Sequence, residues 1–491
     1  MRFGVIGRIL GIMIGLFSIA SFIPAILVAE LYNEKHDALT LSFIISALVG
    51  TLVFLGAALI RYVSQDQGRR YELRVRDGFI ITALFWFTLS MLGSLPFFLS
   101  NQLQLSPAEA IFESFSGLTT TGATVISGLD ELPHGILIYR QLLQWIGGIG
   151  IIVIAVAVLP ALGVGGLQLY KSETPGPIKD SKLTPRIAET AKSMASIYLG
   201  LTVACMISYY IAGMGGFDAL AHALSTTAIG GFSTHDASMG YFESDSILWV
   251  ATVFMVLSGL NFALHFITWQ QTSIRHYFQD SEAKFYLSLL FIGATITVLY
   301  LWSKGIFDFE ESLVHGTFML VSIATTTGFA TQDFSQWPLF LPFLLFFMAF
   351  IGGCSGSTGG GMKVMRWLLL ARQGQRELYR LVHPNAVRHV KMNNRVVSTR
   401  VLESVWGFVA IYMLAFVLSW LALLAMGYDF LTSFSAVAAC INNLGPGLGD
   451  VAMNYQGLGE GAKLLLSFTM LLGRLEVFTL LVLFTRTFWR D

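Results

Sequence analysis

The sequence is poor in charge. Asp, Glu, Lys and Arg make up 12% of its 491 residues, against roughly 25% in a soluble domain. So few charges cannot solvate the surface of a chain this long, and disorder needs the opposite composition. Cysteine is scarce as well. The three present, Cys205, Cys354 and Cys440, are odd in number and form no CxxC pair, which excludes a disulfide framework and a structural zinc site. Neither charge sign is in excess, with 30 basic and 30 acidic residues, so nothing in the bulk charge suggests a nucleic-acid partner. No GxGxxG follows a strand and no Walker loop is found, so any nucleotide sensing must come from another protein. What remains is abundant apolar sequence, 55% of the chain. It describes an all-α polytopic membrane protein with no covalent cofactor.

A helix needs about 20 mostly apolar residues to cross a bilayer. Ten segments qualify, near 9–29, 39–60, 79–99, 136–160, 193–213, 246–269, 284–302, 336–352, 401–425 and 463–485. The first is too long for a signal-peptide core and lacks an A-x-A site, so it reads as a retained span. Shorter semi-polar segments lie between them at 107–119, 217–228, 310–325 and 429–441. Half-length segments at membrane depth belong where they are buried in protein or line a water-filled cavity. Trp249, Trp302 and Trp337 sit near span ends and fit interfacial anchoring.

Lys and Arg set the orientation. With both termini in the cytoplasm, 25 of the 30 basic residues fall on the cytoplasmic side. Four fall outside, Lys35, Arg140, Lys304 and Lys463, and Arg474 lies within a span. The external segments hold 18 acids, among them Glu109, Glu113, Asp130, Asp236, Asp333 and Asp450. Such a face concentrates cations near its surface.

Four segments share a pattern: TTTGAT (119–124), GGFST (230–234), TTTGFAT (325–331) and NNLGPG (442–447). Their glycines, Gly122, Gly231, Gly328 and Gly445, are 109, 97 and 117 residues apart. Each follows a half-length segment and precedes a full span. The chain therefore reads as four pseudo-repeated units of span, short helix, Gly-bearing loop and span around one pore, with two extra spans in front. The boundaries expected are 1–63 for the accessory spans and 77–165, 190–275, 283–380 and 400–491 for the repeats. Glycine accepts positive φ and carries no side chain. A loop built on it can turn its carbonyls toward a common axis, where four such loops replace the hydration shell of a monovalent cation. Acids and cap residues begin the short helices: Ser106-Pro107-Ala108-Glu109, Asp218, Glu310-Glu311 and Asp429. The negative helix ends then face the loops, a direction that suits a cation. Glu113 and His222 each stand nine residues before their glycine and are read as holding the loop backbone, and His265 as a satisfied core histidine.

The third repeat's second span is interrupted by IGGCSGSTGGGMK (351–363), which contains Gly352, Gly353, Gly356, Gly359, Gly360 and Gly361. Each glycine costs a helix about 1 kcal/mol against alanine. The segment from Gly352 to Met362 is expected to be a movable plug on the cytoplasmic side of the loops. Two readings of Arg474 stand: it donates to loop carbonyls and bars cations, or it pairs with Glu476 or with bundle carbonyls for structure.

These residues resemble the superfamily of potassium transporters related to TrkH and KtrB. The resemblance covers nearly the whole chain and rests on TTTGAT, AIGGFSTHDAS (228–238), ATTTGFAT and CINNLGPGLGD (440–450) in that order. The two extra spans favour the TrkH-like branch. The resemblance implies K+ uptake across a bacterial inner membrane, with a filter made by Thr120, Thr121 and Gly122; Ile229, Gly230 and Gly231; Thr326, Thr327 and Gly328; and Asn443, Leu444 and Gly445. In that superfamily a serine at the first glycine goes with sodium preference, and here Gly122 is glycine. It also implies a gate at the 352–362 loop, an arginine at Arg474 in the pore below the filter, a homodimer, and a cytosolic TrkA-like nucleotide-binding regulator. The basic segment Lys363–Arg400 would face that regulator.

Sodium or mixed monovalent cation transport through the same pore is the alternative. A remoter one is an intramembrane serine hydrolase, suggested by Gly-Cys-Ser-Gly-Ser (353–357). A serine nucleophile needs a base within hydrogen-bond reach, no histidine lies nearby in sequence, and the fourfold pattern would be left unexplained. The chain is read as a transporter and not an enzyme.

Overall fold

The computed structural model describes residues 3–34, 37–63, 75–157, 183–393 and 395–490. Much of the basic sequence in 61–76 and 171–192, and the expected repeat boundary at 165, lie outside them. Helices α1 (Phe3–Leu31) and α2 (Asp37–Val63) form an N-terminal hairpin. There follow α3 (Val75–Gly93), α4 (Leu95–Leu99), α5 (Pro107–Leu118) and α6 (His134–Ala157), then α7 (Leu183–Ile211), α8 (Gly216–Ala228), α9 (Asp245–Ser258) and α10 (Phe262–Gln270). The third group is α11 (Arg275–Gln279), α12 (Ser281–Ser303), α13 (Phe309–Ala324), α14 (Phe340–Ile351) and α15 (Val364–Val382). A two-stranded ribbon, β1 (Lys391–Met392) against β2 (Arg395–Val396), leads to α16 (Thr399–Ala425), α17 (Phe430–Asn442), α18 (Glu460–Arg474), α19 (Phe478–Leu481) and α20 (Arg486–Trp489).

Among the described residues, five helical stretches are long and apolar enough to cross a bilayer: Ile6–Leu31, Arg76–Leu99, Ala191–Ile211, Ser281–Ser303 and Thr399–Ala425. Two stretches read from sequence as straight spans are bent instead. Segment 246–269 turns by 93° between α9 and α10, and segment 463–485 by 106° after α18. The first break falls at Ser258-Gly259-Leu260-Asn261, where Asn261 caps α10 by accepting from the Ala263 amide at 2.8 Å. The amide of Phe262 donates to the Gly356 carbonyl, and the amide of Cys354 to the Gly259 carbonyl. Backbone groups freed by the bend are thus satisfied by the 352–362 loop. The second break passes through Glu476 and Val477, both at positive φ (52° and 50°).

The short helices start where polar residues supply the missing acceptors. Ser106 and Glu109 form a reciprocal capping box on α5, Asp308 accepts from the Glu311 amide on α13, and Asp429 accepts from Leu431 and Thr432 on α17. Each such cap is worth about 1 kcal/mol. On α13 the cap is Asp308, two residues ahead of the expected Glu310. On α8 no side chain caps the start, and Asp218 instead accepts from the Thr234 hydroxyl of the returning loop at 2.7 Å.

Packing then runs in a cycle. Helix α6 lies against α5 and α8, α9 against α8 and α13, α14 against α13 and α17, and α18 against α17 and α5. Each short helix is wedged between two longer ones, and the last contact returns to the first. Tyr139 of α6 gathers the N-terminal helices: its ring centroid is 5.8, 5.2 and 5.1 Å from those of Phe22, Phe43 and Phe97, and its hydroxyl donates to the Gly93 carbonyl. The outer surface carries exposed Leu16, Leu52, Phe291 and Leu421, a surface that hydrocarbon solvates better than water. Trp249 and Trp302 are on that surface, but Trp337 is not. It is buried, 6.4 Å from the Phe307 ring, so it is a packing residue and not an anchor.

Candidate functional site: four loops and the segment beneath them

The four loops repeat one backbone geometry. The residue two before each glycine has positive φ: Thr120 (54°), Ile229 (54°), Thr326 (67°) and Asn443 (54°). Each glycine follows at 80°, 83°, 86° and 98°. Between them, an amide reaches back to the preceding short helix: Thr121 to Ser116, Gly230 to Ser225, Thr327 to Ser322 and Leu444 to Ala439, at 2.8–3.0 Å. This is a Schellman-type helix end, but with β-branched residues at three of the positions where glycine is usual. A β-branched residue there costs on the order of 1–3 kcal/mol, so the surrounding packing must hold it.

The glycines meet around one opening. A Cβ added to Gly122 would stand 2.2 Å from the Gly230 carbonyl oxygen. One on Gly231 would stand 2.0 Å from that of Thr327, one on Gly328 2.0 Å from that of Leu444, and one on Gly445 2.7 Å from that of Thr121. The carbonyls of Thr121, Gly230, Thr327 and Leu444 therefore form a ring, each against the glycine of the loop before it. Above the ring is a cavity of about 440 Å³ lined by all four glycines, with Thr124, Ser233, His235, Asp236 and Asp333 at its walls.

Buried charge fixes the loop exits. Glu113 accepts from the Val125 amide at 3.0 Å and from the Thr124 hydroxyl at 3.0 Å, and pairs with Arg140 Nε at 2.9 Å. Arg140 continues to the Ser233 carbonyl at 3.0 Å. Read from sequence as an external base, Arg140 is only 1% exposed and bridges the first loop to the second. His222 bonds the Asp218 carbonyl and the Ser233 hydroxyl, each at 2.9 Å. Glu113 and His222 are thus scaffold for the loops. Lys463, also counted outside, is buried and donates to Glu109 at 2.8 Å. His265 is satisfied by Tyr277 and the Leu257 carbonyl. At the outer rim His235 stacks on Tyr241 and faces Asp130 and Asp218. Burial opposes its protonation, but the two carboxylates outweigh burial and raise its pKa above the usual histidine value.

Beneath the ring, residues 352–363 form an irregular segment between α14 and α15. The Gly361 amide donates to the Asn442 carbonyl at 3.0 Å, the Gly360 amide to Thr326 Oγ1 at 2.6 Å, and the Thr358 hydroxyl to the Thr227 carbonyl at 3.1 Å. The segment therefore touches the ends of α8, α13 and α17. Gly352, Gly356 and Gly361 have φ of 72°, 75° and 72°, and Gly353 and Gly359 complete a chain with little side-chain bulk. Arg474, 3% exposed, donates to the Thr358 carbonyl at 2.9 Å and the Gly147 carbonyl at 3.1 Å. Glu476 pairs with Arg366 instead, so Arg474 does not pair with Glu476; its two acceptors are one carbonyl of the loop, Thr358, and one of the bundle, Gly147. Sequence reading missed Arg366 and buried Glu282, which accepts from the Ser355 amide at 2.6 Å, and it placed Lys363 on the regulator-facing segment, whereas Lys363 is buried and donates to the Gly359 carbonyl. The Ser357 hydroxyl donates to the Cys354 carbonyl at 2.7 Å.

Comparison with known proteins gives the family. Residues 47–490 match the family model described as TrkH, cation transport protein. The Trk system potassium uptake protein TrkH of Halomonas elongata is 52% identical over 98% of both chains, and that of Escherichia coli K12 is 50% identical over 100% of both. The crystal structure of the potassium transporter TrkH from Vibrio parahaemolyticus superimposes with a TM-score of 0.91 at 47% identity, covering 100% of both chains. On these grounds the chain belongs to the TrkH family of cation transport proteins.

Proposed function

We propose that this chain takes K+ into a bacterial cell across the inner membrane, through the ring of loop carbonyls. The observation that carries the reading is the cyclic approach of Gly122, Gly231, Gly328 and Gly445 to the carbonyls of the neighbouring loops. Backbone oxygens replace water around a cation that must shed its shell. Thr120, Ile229, Thr326 and Asn443 begin the four ion-binding stretches and the glycines end them. The short helices α5, α8, α13 and α17 aim their negative ends at the ring and add to its attraction for a cation. The acidic outer loops raise the local cation supply.

The segment 352–362 is the gate in this reading. Its hydrogen bonds to Asn442, Thr326 and Thr227, together with that from Arg474, hold it under the ring. At about 1 kcal/mol net per bond, the closed state is favoured by a few kcal/mol, an amount that a regulator's binding energy can reverse. The guanidinium of Arg474 adds a fixed positive charge on the ion's route. The regulator is a cytosolic nucleotide-binding protein of the TrkA kind acting on a homodimer, through the exposed bases of the Lys363–Arg400 segment, Arg380 and Arg388 among them. Both termini lie in the cytoplasm.

The test is cation flux into proteoliposomes, together with complementation of a bacterium lacking K+ uptake, with and without the partner. K+ and Rb+ should pass and Na+ should be disfavoured. Equal or greater Na+ flux would turn the reading to its sodium alternative, and no cation flux in either assay would overturn it.

A further inference from the structure

The second loop departs from the others in a way the filter reading does not explain. At the position before the glycine the four loops carry Thr121, Gly230, Thr327 and Leu444. Gly230 is not among the residues at positive φ, so its backbone would accept a side chain. What forbids one is Gln144 of α6: a Cβ on Gly230 would stand 2.3 Å from Gln144 Cδ and Oε1 and 2.8 Å from Nε2. The amide of Gln144 fills the space that the side chain fills elsewhere.

It also makes bonds. Gln144 is fully buried. Its Nε2 donates to the Gly230 carbonyl at 2.7 Å, and its Oε1 accepts from the Ser225 hydroxyl at 2.7 Å and the Phe232 amide at 3.2 Å. Oxygen and nitrogen cannot be exchanged, since that would set two acceptors face to face. The amide thus brackets Gly231 from both sides. In the first and third loops a different device operates, a threonine pair: Thr119 with Thr121, and Thr325 with Thr327, each at 2.8 Å. The second loop has Ala228 and Gly230 in those two places, so it lacks both hydroxyls. Among the described residues, Gly230 is the member of the carbonyl ring that receives a side-chain hydrogen bond.

We propose that Gln144 is a positioning residue for ion discrimination. Its amide replaces the missing side chain of the second loop and sets the place and the strength of the Gly230 carbonyl. The assignment rests on the filter reading above. Two effects act in one direction. A tethered carbonyl resists closing on the smaller Na+. A carbonyl that already accepts one hydrogen bond also offers a weaker field, which favours the larger and more weakly hydrated ion.

The experiment measures the K+ to Na+ flux ratio in proteoliposomes, a quantity independent of how much protein is recovered. Gln144→Leu removes all three bonds, and Gln144→Glu keeps the acceptor but loses the donor to Gly230. Both are expected to lower the ratio by roughly tenfold, the factor equivalent to about 1.4 kcal/mol. Gly230→Ala alone should impair flux, and Gly230→Ala with Gln144→Ala should recover it, because shortening the glutamine makes the room. A wild-type ratio in the Gln144→Leu and Gln144→Glu proteins overturns the assignment, as does a Gly230→Ala defect equally severe with and without Gln144. Gly328→Ala separates the two readings. If it shifts the ratio while the Gln144 variants do not, only Gln144 loses its role. If it leaves the ratio unchanged, the ring is not the selector and both readings fall.

Discussion

Replacing Arg474 with alanine should make the transporter leak. The guanidinium holds the Thr358 carbonyl of the 352–362 segment at 2.9 Å and the Gly147 carbonyl of α6 at 3.1 Å. A hydrogen bond from a charged group contributes about 1.5–3 kcal/mol, and the bond to Thr358 is the one that bears on the segment's position. Losing about 2 kcal/mol of preference for the held position raises the population of the released one roughly 30-fold. Removing the positive charge lowers the barrier to a passing cation further, so the two contributions add. The assay is Rb+ entry into proteoliposomes without any cytosolic partner, where the wild-type rate should be low. Arg474→Lys provides the comparison: it keeps the charge but not the planar fork, so its leak should be intermediate. If Arg474→Ala protein of wild-type thermal stability admits Rb+ at the wild-type rate, the guanidinium has no part in closing the path.

Other substitutions probe the remaining parts. Gly360→Ala would place a Cβ 1.9 Å from the Asn442 carbonyl, so the segment must shift, and Rb+ entry should rise while K+ over Na+ preference stays unchanged. Glu113→Gln leaves Arg140 buried without its counter-charge, a loss of about 3–5 kcal/mol, which should appear as a lower melting temperature in detergent. Arg140→Met with Glu113→Gln should recover part of it. Since His235 has a raised pKa in the folded protein, its contribution to stability is complete below the ordinary histidine pKa and is lost as pH rises through the folded value. The melting temperature should therefore fall between pH 6 and pH 9 by more in the wild type than in His235→Asn, and parallel profiles would remove His235 from that role.

How much of this was legible in the sequence depended on whether the cause was local. The capping box at Ser106 and Glu109 and the glycine density of 352–361 act within a few residues, so composition and spacing reveal them. The positive φ of the four glycines was legible because the pattern recurs at nearly equal intervals. The bend at Gly259 was only half legible. Gly259 and Asn261 are a breaker and a cap, yet the turn is completed by Gly356, about a hundred residues on. The bend at Glu476 and Val477 carries no local signal, since neither residue favours positive φ. The burial of Arg140 depends on Glu113, 27 residues earlier, and the role of Gln144 on Gly230, 86 residues later. The Lys and Arg distribution counted Arg140 on the outer side but could not show that it is buried, because a charge near a span end looks the same whether water or a carboxylate satisfies it.

The succession of close approaches around the four loops has a sense of rotation. The first glycine leans on the second loop, the second on the third, the third on the fourth, and the fourth on the first. Bulk added to any glycine therefore presses first on the loop that follows it and reaches the others only by passing round. Because one polypeptide supplies all four quadrants, such a disturbance enters once. In an assembly of four identical subunits the same change would strike every quadrant together, whereas here each can be altered and measured on its own.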